Sequence, residues 1–191
     1  MAKRLFIGLE LPESCRETLA RLDPGVTGVR WLPAEQMHLT LSFLGDVEAG
    51  EEERLRGALH EVRVPAFFLP IQGMGAFGGA HPTVVWAGVG RGHPHLFALH
   101  KHIQDAILHA GLEPDLKQFH PHITIGRVGR VGRVGRVGRG KGISREALMP
   151  FLRRYAEEEL GLWKVTGFAL FSSVLASEGA THSVEMEACL T

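Results

Sequence analysis

Two stretches of the sequence share one design, a histidine and a threonine two residues apart in an apolar run. Residues 38–41 are His-Leu-Thr-Leu and residues 122–125 are His-Ile-Thr-Ile. The alternation of polar and apolar side chains predicts a half-buried β-strand for each stretch. Side chains two positions apart on a strand project from one face, so each strand presents an imidazole beside a hydroxyl. A fold that brings the two strands together would create a site with two acid/base groups and two hydroxyl donors.

The same alternation assigns other side chains of the first strand to its two faces. Leu39 and Phe43 are predicted to point into the core. Ser42 is predicted to lie on the opposite face, beside His38 and Thr40.

A third His-x-Thr, at residues 81–83, has a different context. It contains Pro82, and a proline cannot donate to the hydrogen-bond ladder of a sheet. The face that carries His81 continues as Val85 and Ala87, which are typical core residues. We therefore predict that His81 is a turn residue and that the first two stretches build the site.

Periodicity along the chain predicts helices and strands in alternation. The predicted helices cover about residues 12–22, 51–62, 93–110 and 144–160. Residues 67–71 are predicted to form a strand followed by a loose glycine-rich segment, and residues 163–171 to form one strand. His95, His102 and His109 share a face of the third helix. The apolar stripe of this helix lies on another face and consists of Leu96, Leu99, Ile103 and Ile107, so we interpret the histidine face as solvated and not as a metal site.

Five segments carry a resemblance to a known family: residues 4–12, 30–31, 37–45, 84–88 and 119–127. The third is Met-His-Leu-Thr-Leu-Ser-Phe-Leu-Gly and the fifth is Phe-His-Pro-His-Ile-Thr-Ile-Gly-Arg. These motifs resemble the 2H phosphoesterase superfamily, and within it the bacterial and archaeal RNA 2′,3′-cyclic phosphodiesterases, long labelled 2′-5′ RNA ligases. The resemblance covers nearly the whole chain and departs at a Gly-Arg-Val run after the second motif.

The resemblance implies an α+β, bilobed, pseudo-symmetric 2H phosphoesterase fold, with two antiparallel sheets and flanking helices around a central cleft. Residues 1–191 would form a single domain of two intertwined lobes. The order of predicted elements supports a duplicated architecture, because each His/Thr strand is followed by a helix and then by further strands. The two motif strands would face each other across the cleft.

The resemblance also implies an activity, the hydrolysis of a terminal 2′,3′-cyclic phosphate of RNA to a 2′-phosphate and, in reverse, 2′-5′ RNA ligation. Hydrolysis needs a base for water and an acid for the departing ribose oxygen, and two histidines supply both without a metal or cofactor. The resemblance assigns His38 as proton donor and His122 as proton acceptor. Thr40 and Thr124 would donate hydrogen bonds to non-bridging phosphate oxygens.

Three further residues are candidates for binding the substrate. Arg127 stands where the family pattern places an arginine after the motif strand, and would contact phosphate or ribose. Phe119 and Trp31 would pack near the site or stack a base, and core packing is favoured for Trp31. His120 is interpreted as a structural neighbour.

Charge is spread unevenly along a chain whose formal net charge is zero. Residues 126–141 are four Gly-Arg-Val units followed by Gly-Arg-Gly-Lys, with five Arg, one Lys and no acid, which leaves −6 on the rest. Glycine at every third position argues against a stable helix or strand. Two interpretations of this basic segment stay open, a low-complexity loop without a role or a mobile arm that contacts RNA phosphates.

The remaining features bear on location and partners. Cys15 and Cys189 show neither metal-ligand spacing nor a disulfide framework. The residues before the first predicted strand contain no long apolar stretch, so we expect no secretory signal, and no apolar run approaches the ~20 residues that span a membrane. We expect a cytoplasmic monomer whose partner is RNA with a 2′,3′-cyclic phosphate end.

Other functions stay open at this point. The same site would serve a phosphodiesterase of small cyclic nucleotides or of 2′-5′ oligonucleotides. A non-catalytic protein that binds RNA ends is disfavoured, because binding alone does not need two titratable groups. A metal-dependent nuclease is disfavoured because neither motif segment, residues 37–45 or 119–127, contains a carboxylate.

Overall fold

The computed structural model describes residues 2–22, 26–90, 92–115, 117–128, 143–176 and 179–191. Within these ranges the chain forms four helices, one 3₁₀ turn and nine strands. Residues 129–141 of the Gly-Arg-Val segment lie outside the described ranges, so the role of that segment stays a prediction.

The helices are α1 (Glu13–Ala20), α2 (Ala49–His60), α3 (Pro94–His109) and α4 (Arg145–Arg154), and the 3₁₀ turn is Ala34–Gln36. The strands are β1 (Lys3–Glu10), β2 (Val29–Trp31), β3 (His38–Val47), β4 (Phe67–Phe77), β5 (Val84–Val89), β6 (His122–Val128), β7 (Glu159–Val165), β8 (Gly167–Ala176) and β9 (Gly179–Cys189).

The strands form one antiparallel sheet in the order β7-β4-β5-β6-β3-β1-β8-β9, with β2 added beside β6. The first four strands of this path make one half of the molecule and the last four make the other. The halves meet where β3 pairs with β6, through Leu39 and Ile123. The predicted α+β fold is confirmed, and the two expected sheets are joined at this pair.

The helices pack against the sheet and bury its apolar side chains. α3 contacts β3, α4 contacts β4, and α2 lies against α3. The apolar stripe of α3 is fully buried, as are the side chains of Leu39 and Ile123 at the junction; the stripe consists of Leu96, Leu99, Ile103 and Ile107. The opposite face of the junction is therefore left to the histidine and threonine side chains of the two motifs.

β4 continues through the glycine-rich segment that the sequence predicts to be loose. It runs to Phe77 and pairs with β5 along this part. Gly75 explains the difference, because a Cβ at this position would lie 2.1 Å from the ring of its cross-strand partner Trp86. The indole occupies the space that a side chain would take, so glycine here marks a close approach within a strand.

The C-terminal elements also differ from the prediction. α4 ends at Arg154, and Leu160 lies in a strand instead of a helix. The strand predicted over residues 163–171 is two strands, because β7 pairs with β4 and β8 pairs with β1 in different halves of the sheet. A local pattern does not show which distant strand a segment joins.

Candidate active site

The two motif strands place four polar side chains in one cleft. Leu39 and Ile123 pair with each other and point into the core, so their neighbours along each strand project from the other face. The residues that result, His38, Thr40, His122 and Thr124, all line a cleft of about 660 Å³. In the antiparallel register His38 lies on the side of Thr124, and Thr40 on the side of His122.

Phe43 also lines this cleft, so its predicted place in the core is wrong. Its side chain is 60% exposed, whereas Ser42 is buried. The cause is an irregularity in β3: Ile7 of β1 pairs with Ser42 and Gly8 pairs with Thr40, which leaves one extra residue between the two pairs. The extra residue reverses the alternation, and the side chains after it change faces.

Each motif histidine is oriented by a backbone carbonyl two residues earlier. Nδ1 of His38 lies 3.0 Å from the oxygen of Gln36, and Nδ1 of His122 lies 2.6 Å from the oxygen of His120. A carbonyl oxygen only accepts hydrogen bonds, so Nδ1 is the donor in both rings. Nε2 is then the nitrogen that gives or takes a proton at a ligand.

Aromatic rings pack against both imidazoles. The ring of His38 lies 4.9 Å from that of Phe6. His122 meets Phe77 edge-on at 4.9 Å, and the ring of Trp86 is 6.3 Å away. The two motifs therefore share an apolar setting as well as a backbone anchor.

This setting makes both imidazoles poor at holding a proton. Burial lowers the pKa of His122, although its hydrogen bond to the His120 carbonyl opposes the effect. Burial also lowers the pKa of His38, from 6.5 to about 4, helped by the positive potential of His182 and Arg127. Both motif histidines are therefore mostly neutral at pH 7.

Positive charge surrounds the two rings. Arg4, Arg30, Lys117 and Arg127 line the cleft, and the described part of its lining includes no Asp or Glu. The sequence predicts that Arg127 binds substrate, and the structure places it in the cleft on β6, paired across the strands with Arg30 of β2. A cleft with this charge attracts anions.

The other two predicted substrate-binding residues lie elsewhere. Phe119 stacks on His100 of α3 with ring centroids 3.9 Å apart, and Trp31 meets Phe151 of α4 edge-on at 5.1 Å. Both pack against the core, and neither is among the described residues that line the cleft. Core packing, the interpretation that the sequence favours for Trp31, fits this position. Contact of either ring with substrate stays a prediction.

His81 lies in the connection between β4 and β5, as the sequence predicts. Its side chain is exposed, and its backbone N–H donates to the carbonyl of Gly78 at 3.1 Å. Val85 and Ala87, on the face that continues from it, are fully buried. The prediction that His81 is a turn residue is confirmed.

One cleft residue, His182 on β9, has no counterpart in the sequence analysis. It lines the cleft together with Ser173, its partner on β8. Its ring centroid is 5.0 Å from that of His38, and the two planes meet at 80°. No local motif marks His182, because it reaches the site only through the pairing of β9 with β8 and of β8 with β1.

Three general features complete the description. Among the residues that the structure describes, no three His, Cys, Asp or Glu side chains are grouped so as to hold a metal ion. No helix in the described ranges has the length and apolar character needed to cross a membrane. The thiols of Cys15 and Cys189 are free, the first buried and the second exposed.

The chain matches two families, each over part of its length, and named relatives over nearly all of it. Residues 11–132 match the 2′-5′ RNA ligase superfamily, and residues 91–181 match the LigT-like phosphoesterases. A protein of Archaeoglobus fulgidus named RNA 2′,3′-cyclic phosphodiesterase is 31% identical, over 94% of this chain and 96% of its own. A protein of Aquifex aeolicus with the same name is also 31% identical, over 96% and 95%.

A solved structure supports the same assignment. The crystal structure of E. coli LigT complexed with 3′-AMP matches with a TM-score of 0.75 and 26% identity, covering 100% of this chain and 99% of that one. The first family match covers well over half of the chain, and both relatives are matched over nearly their whole length. The chain therefore belongs to the 2′-5′ RNA ligase superfamily.

Proposed function

We propose that this protein hydrolyses the 2′,3′-cyclic phosphate at the end of an RNA and leaves a 2′-phosphate. The observation that carries the proposal is the meeting of two imidazole–hydroxyl pairs in one positively charged cleft. The relatives from A. fulgidus and A. aeolicus are named for the same cyclic phosphodiesterase activity.

In the proposed step, water attacks phosphorus while the bond from phosphorus to the ribose 3′ oxygen breaks. His122 accepts a proton from the water, and His38 donates a proton to the departing oxygen. Both act through Nε2, because Nδ1 of each ring is held by a backbone carbonyl. The geometry supports the pair, and the family resemblance decides which ring is the acid. Each proton transfer typically contributes ~10² to 10⁴-fold to the rate.

The acid must carry a proton before it acts, and burial and nearby positive charge oppose this at His38, whose pKa is about 4. A cyclic phosphate diester carries a negative charge. Placed in the cleft, that charge offsets the potential of Arg127 and His182 and raises the pKa of His38. The proton that His38 delivers is thus stabilised by the substrate itself.

The remaining charge of the transition state lies on the non-bridging oxygens. Thr40 and Thr124 line the cleft on the same face as the two imidazoles and can donate hydrogen bonds there. Arg127 supplies a fixed positive charge and a planar set of donors suited to phosphate. These groups are already in place before the substrate binds, which is the condition for strong electrostatic stabilisation.

The lining of the cleft favours a nucleotide or RNA end over a small anion alone. Phe43 offers an exposed aromatic face on which a base can stack. Arg4 and Lys117 add charge for further phosphates of a chain. The E. coli LigT structures include complexes with 3′-AMP and with phosphate.

Ligation is a second candidate, favoured by the family match to 2′-5′ RNA ligases. An RNA 5′-hydroxyl takes the place of water, His122 removes its proton, and the product is a 2′-5′ linkage. Adding an RNA with a 5′-hydroxyl to the assay tests this directly. If the protein is instead a phosphodiesterase of small cyclic nucleotides, kcat/KM should be equal for a mononucleoside cyclic phosphate and for an RNA with a cyclic phosphate end.

The test is incubation of the purified protein, in EDTA, with a short RNA ending in 2′,3′-cyclic phosphate, followed by identification of the product isomer. A 2′-phosphate supports the proposal, and His122→Ala should abolish its formation while His81→Ala should not. A 3′-phosphate would reverse the assigned leaving group. No product, or a requirement for a metal ion, would contradict the proposed reaction.

A further inference from the structure

His182 lies in the cleft without belonging to either motif. β9 carries it, and its cross-strand partner Ser173 on β8 lines the same wall. The two proton transfers proposed above need only His38 and His122. An imidazole beside the reacting groups is thus left without a role.

The ring of His182 is held by packing. It meets Phe6 edge-on at 5.0 Å and His38 edge-on at 5.0 Å. Its Nδ1 is buried and has no hydrogen-bond partner in the described part of the chain. His38 and His122, by contrast, each have Nδ1 on a backbone carbonyl. Because the buried Nδ1 is out of reach of a ligand, Nε2 is the nitrogen of His182 that can bind one.

The groups that face His182 indicate the charge of that ligand. His38 of β3 lies against its ring, and Arg127 of β6 acts on it through its charge. Burial, and then Arg127, lowers the pKa of His182. No carboxylate is among the described residues of the cleft lining, so no acid there neutralises a protonated imidazole. An anionic ligand supplies the missing negative charge.

We propose that His182 is a third substrate-binding imidazole, which donates a hydrogen bond from Nε2 to a non-bridging oxygen of the phosphate held beside His38. The identity of that phosphate rests on the proposed function, but its binding does not depend on turnover. His182 holds the phosphate equally before and during the reaction, since it takes part in neither proton transfer. Its loss therefore raises KM and leaves kcat nearly unchanged.

Three variants test this role. His182→Phe keeps an aromatic ring against Phe6 and His38 and removes both nitrogens, whereas His182→Gln restores a donor. His81→Phe makes the same exchange at an exposed turn and is the matched control. With a nucleoside 2′,3′-cyclic phosphate at pH 6.5, His182→Phe should raise KM about 10-fold with kcat within about 3-fold of wild type. His182→Gln should recover part of the loss, and His81→Phe should match wild type.

A binding measurement separates this proposal from the proposed function. Calorimetry with 2′-AMP, a phosphomonoester probe, needs no turnover, and its Kd should be about 10-fold weaker in His182→Phe. If the wild-type protein binds 2′-AMP but does not hydrolyse a cyclic phosphate, the proposed function is contradicted. The Kd of His182→Phe for 2′-AMP still decides the role of His182 in that case. An equal Kd, or a loss of kcat at constant KM, would overturn the proposal. If His182→Phe melts at a lower temperature, the Kd of His182→Gln decides: a value near wild type supports donation, and a value as weak as that of a folded His182→Ala contradicts it.

Discussion

Replacing His38 by glutamine should remove much of the loss of stability that the protein suffers in acid. The cleft holds the pKa of His38 at about 4, against 6.5 for the unperturbed side chain. As the pH falls below 6.5, His38 binds a proton in the unfolded chain but stays neutral in the folded protein until the pH approaches 4. The stability linked to His38 is therefore complete above pH 6.5 and is lost as the pH falls toward 4. The shift corresponds to about 3 kcal/mol of unfolding free energy between pH 7 and pH 4.

Urea unfolding of the wild type, His38→Gln and His81→Gln at the two pH values measures this difference. Glutamine has no proton to titrate, so the wild type should lose about 3 kcal/mol more than His38→Gln over the interval. His81→Gln, at an exposed turn, should behave as the wild type does. Equal losses in the wild type and in His38→Gln would refute the claim that the cleft keeps this imidazole neutral, and with it the coupling of substrate binding to protonation.

The remaining predictions concern turnover. His122→Ala should slow hydrolysis by at least ~10²-fold, because the base is lost, whereas His81→Ala should keep the wild-type rate; the opposite result would mean that another His-x-Thr builds the site. Thr40→Val should lower kcat by about 10²-fold through loss of one donor to the transition state, and an unchanged kcat would exclude that contact. Phe43→Ala should raise the KM for a nucleoside cyclic phosphate by about 5-fold or more, but it should not raise the KM for base-free ribose 2′,3′-cyclic phosphate. Phe68→Ala, at another exposed phenylalanine, is the control and should leave both KM values unchanged. The plot of kcat/KM against pH should be bell-shaped, with its optimum below pH 6.5. The plot of kcat should peak at a higher pH, because bound substrate raises the pKa of the acid. Coincident optima would contradict this effect of substrate on the pKa.

The motif strands could be predicted from the sequence because their signal is local. Apolar side chains at Leu39 and Ile123 alternate with the His/Thr pairs, and the fold buries the first set and exposes the second to the cleft. His81 could be set aside for an equally local reason, the proline that follows it. The α+β class followed from the order of elements and from the family resemblance.

The features that could not be predicted depend on distant strands. Phe43 changes faces because β3 carries an extra residue opposite β1, and the sequence of β3 alone does not show this. His182 enters the cleft through strands that are adjacent in the sheet but remote from the motifs along the chain. The sequence predicts a loop at Gly75, because only the folded sheet shows that the ring of Trp86 occupies the space of a side chain there. Each case is set by tertiary pairing, which local propensity does not encode.

The central claim is that His38 protonates the departing 3′ oxygen while His122 activates water. The most direct measurement uses an RNA end in which sulfur replaces the bridging 3′ oxygen of the cyclic phosphate. A thiol has a pKa near ~8.5 and leaves as the thiolate without help from an acid. His38→Ala should hydrolyse this substrate within about 10-fold of the wild type, and His122→Ala should remain inactive on both substrates. Rescue of His122→Ala instead would exchange the two roles, and rescue of neither variant would contradict the two-histidine mechanism.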